Sequence, residues 1–352
     1  MKIMQVIPAF SVGGGETMCE NLTYALREAG HDVLAVSLYD EHTLITERME
    51  SSGVALKYLA KKPGLDPGCV LRLRKLIRAY RPDVVHTHLY ALKYAALAKA
   101  FLRIRGVHTL HNVAEKEASP KDRKLNRVFY HRGMAIPVSL SEEVQTTVLK
   151  LYGLRAEQSP VIYNGIDLRR CIPKEEHHAG EPFRIVHVGR FMEQKNHPCM
   201  IEALAALPRG RFHLTFLGDG ELMQEIKELA QKRGVAEEIT FAGNCGDVPQ
   251  ALHKADVFIL PSLWEGMPMS IIEAMGTALP IIASDVGGVS DMIRDGESGI
   301  LIQPDAQELC AAIGRVAESE ALRDTLGANA LARSEIFSSQ KMAAAYLTIY
   351  GG

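Results

Sequence analysis

Short apolar runs recur along the chain, and between them apolar residues return every three or four positions. The runs read as buried strands and the spaced segments as amphipathic helices. Residues 2–8 form a first strand. A helix then opens at the glycines 13–15 and runs to about residue 28. Strands over 33–38, 54–59, 83–88, 107–110 and 135–139 alternate with helices over 70–80, 92–102 and 142–151, and 161–167 reads as the last strand of this half. The stretch from Cys171 to Pro182 is charged and turn-rich, with Pro173, His177-His178 and Gly180, and is the expected linker. The pattern then restarts. Strands are expected over 183–188, 213–217, 239–242, 256–260, 280–284 and 299–302, with helices over 197–207, 221–233, 306–317 and the tail. Alternating strands and helices of this kind build parallel βαβ units. The expectation is therefore an α/β protein with two Rossmann-like, doubly wound parallel-sheet domains, over 1–170 and 183–335. In such sheets ligands bind beyond the carboxyl ends of the strands.

Composition narrows this picture. With 352 residues, 47% hydrophobic and 23% charged, the chain has the make-up of a globular protein with room for two cores. A single Trp and few aromatics argue against nucleic-acid stacking platforms, so nucleic acid is not an expected partner. The net charge of −2 hides a split. Residues 1–170 hold 25 Lys and Arg against 17 Asp and Glu, a balance of +8, and the remainder carries −10. A basic first half suits an anionic membrane surface or a phosphorylated substrate. The basic segment Ser119–Arg132, with Leu125, Val128 and Phe129, reads as a membrane-facing patch, against the plainer reading of a solvated helix face. Six scattered cysteines form no C-x-x-C pair, so neither a disulfide frame nor a zinc site is expected. No apolar run is long enough to span a bilayer, and the first strand begins without a leader, which points to a cytoplasmic protein.

The most informative stretch is Pro261-Ser262-Leu263-Trp264-Glu265-Gly266-Met267-Pro268-Met269-Ser270-Ile271-Ile272-Glu273-Ala274-Met275. It follows the apolar run Val257-Phe258-Ile259-Leu260, so it reads as strand, tight loop and helix start, with Pro268 in the first turn. The amides of Met269, Ser270 and Ile271 then point out of a helix N-terminus, which favours an anion. Glu265 and Glu273 flank that pocket. Each alone has a bland reading, as a loop residue or a solvated helix face. Arg190 and Lys195 follow another strand and can clamp a diphosphate, although two surface charges would look the same. Gly13-Gly14-Gly15 lets a backbone approach a ligand, but it is neither a G-x-G-x-x-G nor a P-loop pattern. His88 and His111 each end a strand, and His111-Asn112 is the stronger site candidate. His86-x-His88 hints at a metal, yet no third ligand is placed and no Asp-x-Asp occurs, so no metal site is expected.

Taken together, Gly189-Arg190 with Lys195, Gly218-Asp219-Gly220, Phe241-Ala242-Gly243 and Glu265-Gly266-Met267-Pro268 with Glu273-Ala274 resemble the nucleotide-sugar half of retaining glycosyltransferases of family 4, of GT-B fold. The glycine loop, His111 and Ile162-Tyr163-Asn164-Gly165-Ile166-Asp167 resemble the other half. The resemblance implies an acceptor-binding first domain, onto which a final helix (338–352) packs back, and a second domain for a nucleoside-diphosphate sugar. Arg190 and Lys195 would neutralise the diphosphate, helped by Gly189, Met267 and the amides of Met269 and Ser270. Glu273 would bind ribose, Glu265 the donor sugar, and the backbone from Asn244 to Val248 the base. Gly14 and Gly15 would lie near diphosphate or acceptor, and His111 beside the sugar. No cofactor or metal is required.

The leading expectation is sugar transfer, with retention, from a UDP-sugar, with GDP-mannose as second choice. The acceptor would be a glycan or a lipid-linked glycan of a surface polysaccharide or glycolipid, at the inner face of the plasma membrane. A nucleotide-sugar epimerase and a non-catalytic nucleotide-sugar-binding subunit compete with it. A glycosidase is disfavoured, because two carboxylates there would not need the cation pair.

Overall fold

The computed structural model describes every residue except Val12, His177, His178, Ala179 and Gly352. Val12 of the glycine loop and the His177-His178 pair of the expected linker therefore lie outside the described residues. The chain forms two compact units, one of Met1–Ile166 with Ser339–Gly352 and one of Asp167–Ser338.

The first unit is built on a six-stranded parallel sheet: β1 (Lys2–Ile7), β2 (Asp32–Ser37), β3 (Ala55–Tyr58), β4 (Val84–His88), β5 (Arg105–Leu110) and β6 (Ile136–Ser139). The strand order is β3-β2-β1-β4-β5-β6. Both faces are covered, which is why the strands read as continuous apolar runs. On β1, Met4 and Val6 face one core with Leu34, Val36, Leu73 and Ile77. Ile7 faces the other with Ala35, Cys19 and Met49. The period-two alternation of a strand separates these sets. The helix Ser339–Gly351 packs beside the helix Gly14–Glu28 and buries Met342, Tyr346 and Tyr350.

The second unit repeats the plan with β7 (Phe183–Val188), β8 (Phe212–Leu217), β9 (Ile239–Phe241), β10 (Val257–Leu260), β11 (Ile281–Ser284) and β12 (Ile300–Ile302), all parallel, in the order β12-β11-β10-β7-β8-β9. In both sheets the first and fourth strands are central neighbours, and the chain leaves them in opposite directions. That reversal is the topological switch point at which open α/β sheets bind ligands.

Several expectations are corrected. Residues 161–167 do not form a strand: Val161 makes one bridge to Ser139, at the very end of the four-residue β6, and beyond it there is no strand to pair with. The expected linker is part of the second unit. Cys171 is buried against Gly276, Lys174 N donates to Thr277 O at 3.0 Å, and Lys174 Nζ pairs with buried Asp256 at 3.2 Å. The helix expected over 92–102 stops at Ala98. The helix Leu44–Ser51, which the apolar spacing does not reveal, starts at a reciprocal Thr43–Thr46 cap. Ser119–Arg132 holds the helix Pro120–His131, with Phe129 turned into the core and only Val128 of its apolar residues exposed. Among the described residues no helix is long and apolar enough to cross a membrane.

Candidate active site

In the second unit the loops after β7 and β10 meet at the switch point. The β7 loop is anchored by Phe191, which is buried and whose N–H donates to Asp219 O at 3.0 Å. Phe191 also stacks on His197 at 4.1 Å between ring centroids. This anchor delivers Gln194 and Lys195 to the end of the sheet. Asn196, in the left-handed region at φ 52°, then turns the chain into the helix His197–Ala206 and donates to Pro261 O at 3.1 Å. From β10 comes Glu265, only 4% exposed although charged.

Lys195 Nζ donates to Glu265 Oε1 at 2.6 Å, Ser262 Oγ to the same oxygen at 2.6 Å, and Gln194 Nε2 to Oε2 at 3.1 Å. Gln194 also bridges to Trp264 O at 2.9 Å, and Leu263 N returns a hydrogen bond to Gln194 O. A carboxylate has about four acceptor positions, so these three donors leave one, on Oε2. A lysine ammonium has three N–H groups. Among the described residues one of them is committed. The two residues considered separately in sequence are thus one ion pair.

A third loop supports this pair. Gly287, after β11, has φ +57°, and a Cβ there would lie 2.8 Å from the Glu265 carbonyl carbon and closer still to its oxygen. Gly288 N donates to Gly266 O at 2.8 Å. The backbone at 265–266 can sit where it does only because residue 287 is a glycine.

The other expected residues of this unit lie on the loops and helices that follow β7, β9 and β10. Arg190 is exposed, and among the described residues its side chain makes no hydrogen bond or ion pair. Gly189 lies against Lys195, where a Cβ would come within 3.2 Å of its Cδ. The helix Met269–Gly276 starts one residue later than the proline suggests, with Pro268 at its N-cap and no side chain capping it. The first-turn amides of Met269 and Ser270 have no carbonyl a full helical turn before them. Met267, Met269 and Ser270 are buried, and Glu273 is half-buried on the same helix. Asn244 is exposed in the loop after β9, and Val248 begins the helix Val248–His253. Gly243 O in that loop accepts from Gly218 N at 2.7 Å.

The first unit has its own switch point, between β1 and β4. Gly14 is exposed and Gly15 buried in the first turn of the helix Gly14–Glu28, whose N-terminus likewise has no side-chain cap. A Cβ at Gly15 would lie 3.3 Å from Cγ and Nδ1 of His111, so the glycine is what admits the imidazole. Behind His111 runs a buried relay. His111 Nε2 and His88 Nδ1 are 3.1 Å apart, and His88 Nε2 reaches Gln5 Oε1 at 2.8 Å. With the Gln5 amide oriented so that Oε1 accepts, His88 carries its proton on Nε2. Its Nδ1 then accepts from His111 Nε2–H, and the lone pair on His111 Nδ1 is presented beside Gly15. Burial keeps His88 well below its ordinary value and holds His111 down at about 4, so both are neutral at pH 7. His86, of the His86-x-His88 pair, is engaged elsewhere, with Tyr350 OH at 2.6 Å and Thr109 Oγ1 at 2.7 Å.

Sequence reasoning missed Gln194, Ser262, Gly287 and Gln5. Only the Gly287-Gly288 pair, directly after a strand, carried a signal. It also missed Glu117, whose Oε2 accepts from His111 N at 3.0 Å, while buried Oε1 has no hydrogen-bond partner among the described residues. Burial pushes this carboxyl up to about 8.

Two family models cover most of the chain. The one described as Glycosyl transferases group 1 matches residues 169–333, and Glycosyltransferase Family 4 matches residues 12–170. Over 282 residues the chain is 30% identical to the Escherichia coli UDP-Gal:alpha-D-GlcNAc-diphosphoundecaprenol alpha-1,3-galactosyltransferase, covering 73% of this chain and 72% of that protein. It is 28% identical over 363 residues to a Mycobacterium tuberculosis glycogen synthase, covering 91% and 87%. The crystal structure of Anabaena Alr3699/HepE with UDP-glucose superposes with a TM-score of 0.89 at 22% identity, over 100% of this chain and 99% of that one. At that identity the likeness shows the two-domain fold alone.

Proposed function

The chain belongs to family 4 of the glycosyltransferases, with the GT-B fold, and on that premise we propose that it moves a sugar from a UDP-sugar, with retention at the anomeric carbon, to a glycan or lipid-linked glycan acceptor. The observation that carries the reading is the Lys195–Glu265 pair at the second unit's switch point, 2.6 Å across, with exposed Arg190 on the same strand-end loop as Lys195. The E. coli relative, named as acting on a UDP-galactose and a diphosphoundecaprenol-linked sugar, supports both the donor nucleotide and the acceptor class.

In the proposed reaction the bond between the anomeric carbon and the diphosphate oxygen breaks as the acceptor oxygen bonds to that carbon from the same face. The acceptor proton passes to the departing phosphate. Charge grows on the leaving diphosphate, and groups already aimed at it stabilise it most in the transition state. Arg190, the two uncommitted N–H groups of Lys195 and the amides of Met269 and Ser270 supply that stabilisation, with no divalent cation. Glu265 does not act as an acid: with three hydrogen bonds already accepted, its remaining position on Oε2 orients a sugar hydroxyl. Glu273 holds the ribose, the backbone from Asn244 to Val248 the base, and His111 Nδ1 accepts from a substrate hydroxyl near Gly14 and Gly15. We place the reaction at the inner membrane face, with the exposed Lys121, Lys124 and Arg127 of the helix Pro120–His131 toward anionic lipid.

The test compares UDP, GDP and ADP and their sugars by thermal shift, then measures transfer. UDP-sugars should give the largest shift, and Arg190→Ala should lower turnover by about 10²–10³-fold with the fold intact. EDTA should leave the rate unchanged. Wild-type turnover in Arg190→Ala overturns the assignment, and isomerised sugar nucleotide formed without acceptor would turn it to the epimerase.

A further inference from the structure

The first unit carries a second polar cavity, at the opposite end of its sheet from His111 and Gly15. Its volume is about 580 Å³, and Lys99, Phe101, Arg103, Arg105, Asp83 and Tyr350 are among its walls. Asp83 directly precedes β4, and Arg105 begins β5. From Arg105 to His111 the chain advances six residues of extended strand, about 20 Å. The cavity is therefore separate from the first unit's candidate substrate region.

The side chains on its walls suit an anion. Lys99 is only 7% exposed, and among the described residues its single acceptor is the carbonyl of Ile104, at 3.1 Å. Among the described residues no carboxylate pairs with it. Burial lowers its proton affinity. An ammonium left this way costs free energy unless a counter-charge arrives. The position is also built for it: a Cβ on Gly106 would lie 2.7 Å from Lys99 Cε and nearer still to Met134 O, so the glycine makes room for the lysine stem. Beside Lys99, Arg103 is exposed and, among the described residues, has no hydrogen-bond or ion-pair partner. Arg105 donates to Ile349 O at the end of the helix Ser339–Gly351 and keeps further N–H groups. Asp83 spends Oδ2 on Lys2 N at 2.7 Å. Phe101 stands at the rim, wholly exposed and in the left-handed region at φ 63°. A bulky side chain held there is a backbone outlier of the kind that clusters at ligand clamps.

We propose that this cavity binds a phosphate group, held by Lys99 and Arg103 with Arg105 in support, and with Phe101 against the apolar remainder of the ligand. The phosphate is that of a free phosphate ester or of a lipid headgroup, and the experiment below distinguishes the two. The site is independent of the transfer chemistry proposed above.

The experiment uses the whole chain and three proteins: wild type, Arg103→Ala and Lys99→Met. Each is titrated with inorganic phosphate and pyrophosphate, against chloride at equal ionic strength, and followed by thermal unfolding. Each is also sedimented with vesicles of phosphatidylglycerol or of phosphatidylcholine alone. Wild type should be stabilised by phosphate beyond chloride, or bind the phosphatidylglycerol vesicles. Both variants should lose at least about tenfold of that affinity, the loss of one charge-assisted hydrogen bond. A response to the soluble anions assigns a free ester, and a variant-sensitive response to vesicles alone assigns a headgroup. Lys99→Met should also be no less stable than wild type without ligand, because it removes an unpaired buried charge. UDP titration of the same samples reads the second unit separately: an unchanged UDP shift in both variants shows that the fold and the donor site are intact. The proposal is overturned if neither anion nor vesicle acts on wild type beyond its control, or if both variants respond as wild type does.

Discussion

Replacing Lys195 by Met isolates the energetics of the second unit's site. Glu265 would keep Ser262 and Gln194 but lose its counter-charge, with its side chain only 5% exposed. Breaking a buried pair from one side costs about 3–5 kcal/mol, because the stranded charge keeps its desolvation penalty. Glu265→Gln is the gentler cut. Lys195 is 14% exposed, with a flexible stem that can carry its ammonium toward water, so about 1–3 kcal/mol is expected. The double variant removes both charges and should cost less than the two singles together, with a coupling of roughly 2 kcal/mol. A unit of this size shifts its midpoint by about 2–4 °C per kcal/mol. Lys195→Met should therefore unfold about 6–20 °C early, and the double variant should recover part of that loss. The assay is calorimetry of the four proteins of the cycle, with UDP present in a second series to identify the transition of the second unit. If Lys195→Met costs less than about 1 kcal/mol and the double variant is additive, the pair is not a coupled unit, and its role in preorganising the site falls with it.

Gly287→Ala should destabilise the second unit by more than about 2 kcal/mol and abolish the UDP shift, because its Cβ meets the Glu265 carbonyl in a left-handed conformation. Gly296→Ala, at φ +71° with open space around it, should cost only about 1 kcal/mol. Equal losses in the two would refute the support role. Because Glu117 titrates at about 8 in the fold and at 4.5 ordinarily, its contribution is full below pH 4.5 and is lost as pH rises through about 8. Glu117→Gln should remove that decline in urea midpoints between pH 5 and pH 9, and curves that stay parallel to wild type would disprove it. Tyr350→Phe strands buried His86 Nδ1 and should cost the first unit about 1–3 kcal/mol by urea unfolding. No change would show that this hydrogen bond does not help to hold the C-terminal helix.

What could be read from sequence follows from where the physics is local. Val257–Leu260 is legible because a strand covered on both faces needs an unbroken apolar run, and the loop after it because Gly266 and Pro268 punctuate the backbone. Residues 161–167 have the same apolar look yet form no strand, because pairing depends on a neighbour's length and β6 ends at Ser139. Phe129 was misplaced for a similar reason: a basic helix looks solvated until the core beneath it is known. Glu117, inside Ala114-Glu115-Lys116-Glu117, reads as an exposed charge, and only the fold turns its carboxyl to the His111 amide. The largest gap concerns Lys195 and Glu265. Both stand out in the sequence as candidates, but nothing in a sequence says that side chains seventy positions apart are in contact. That contact decides their chemistry. Glu265, with three hydrogen bonds accepted and a lysine against it, is held in place, which on the proposed reading suits it to orienting a hydroxyl. On the proposed reading, Lys195 would meet the diphosphate already ordered by Glu265, so less rotamer freedom would be lost when the substrate binds. A preorganised cation, with exposed Arg190 on the same loop, would then stabilise a departing anion better than two free surface charges could.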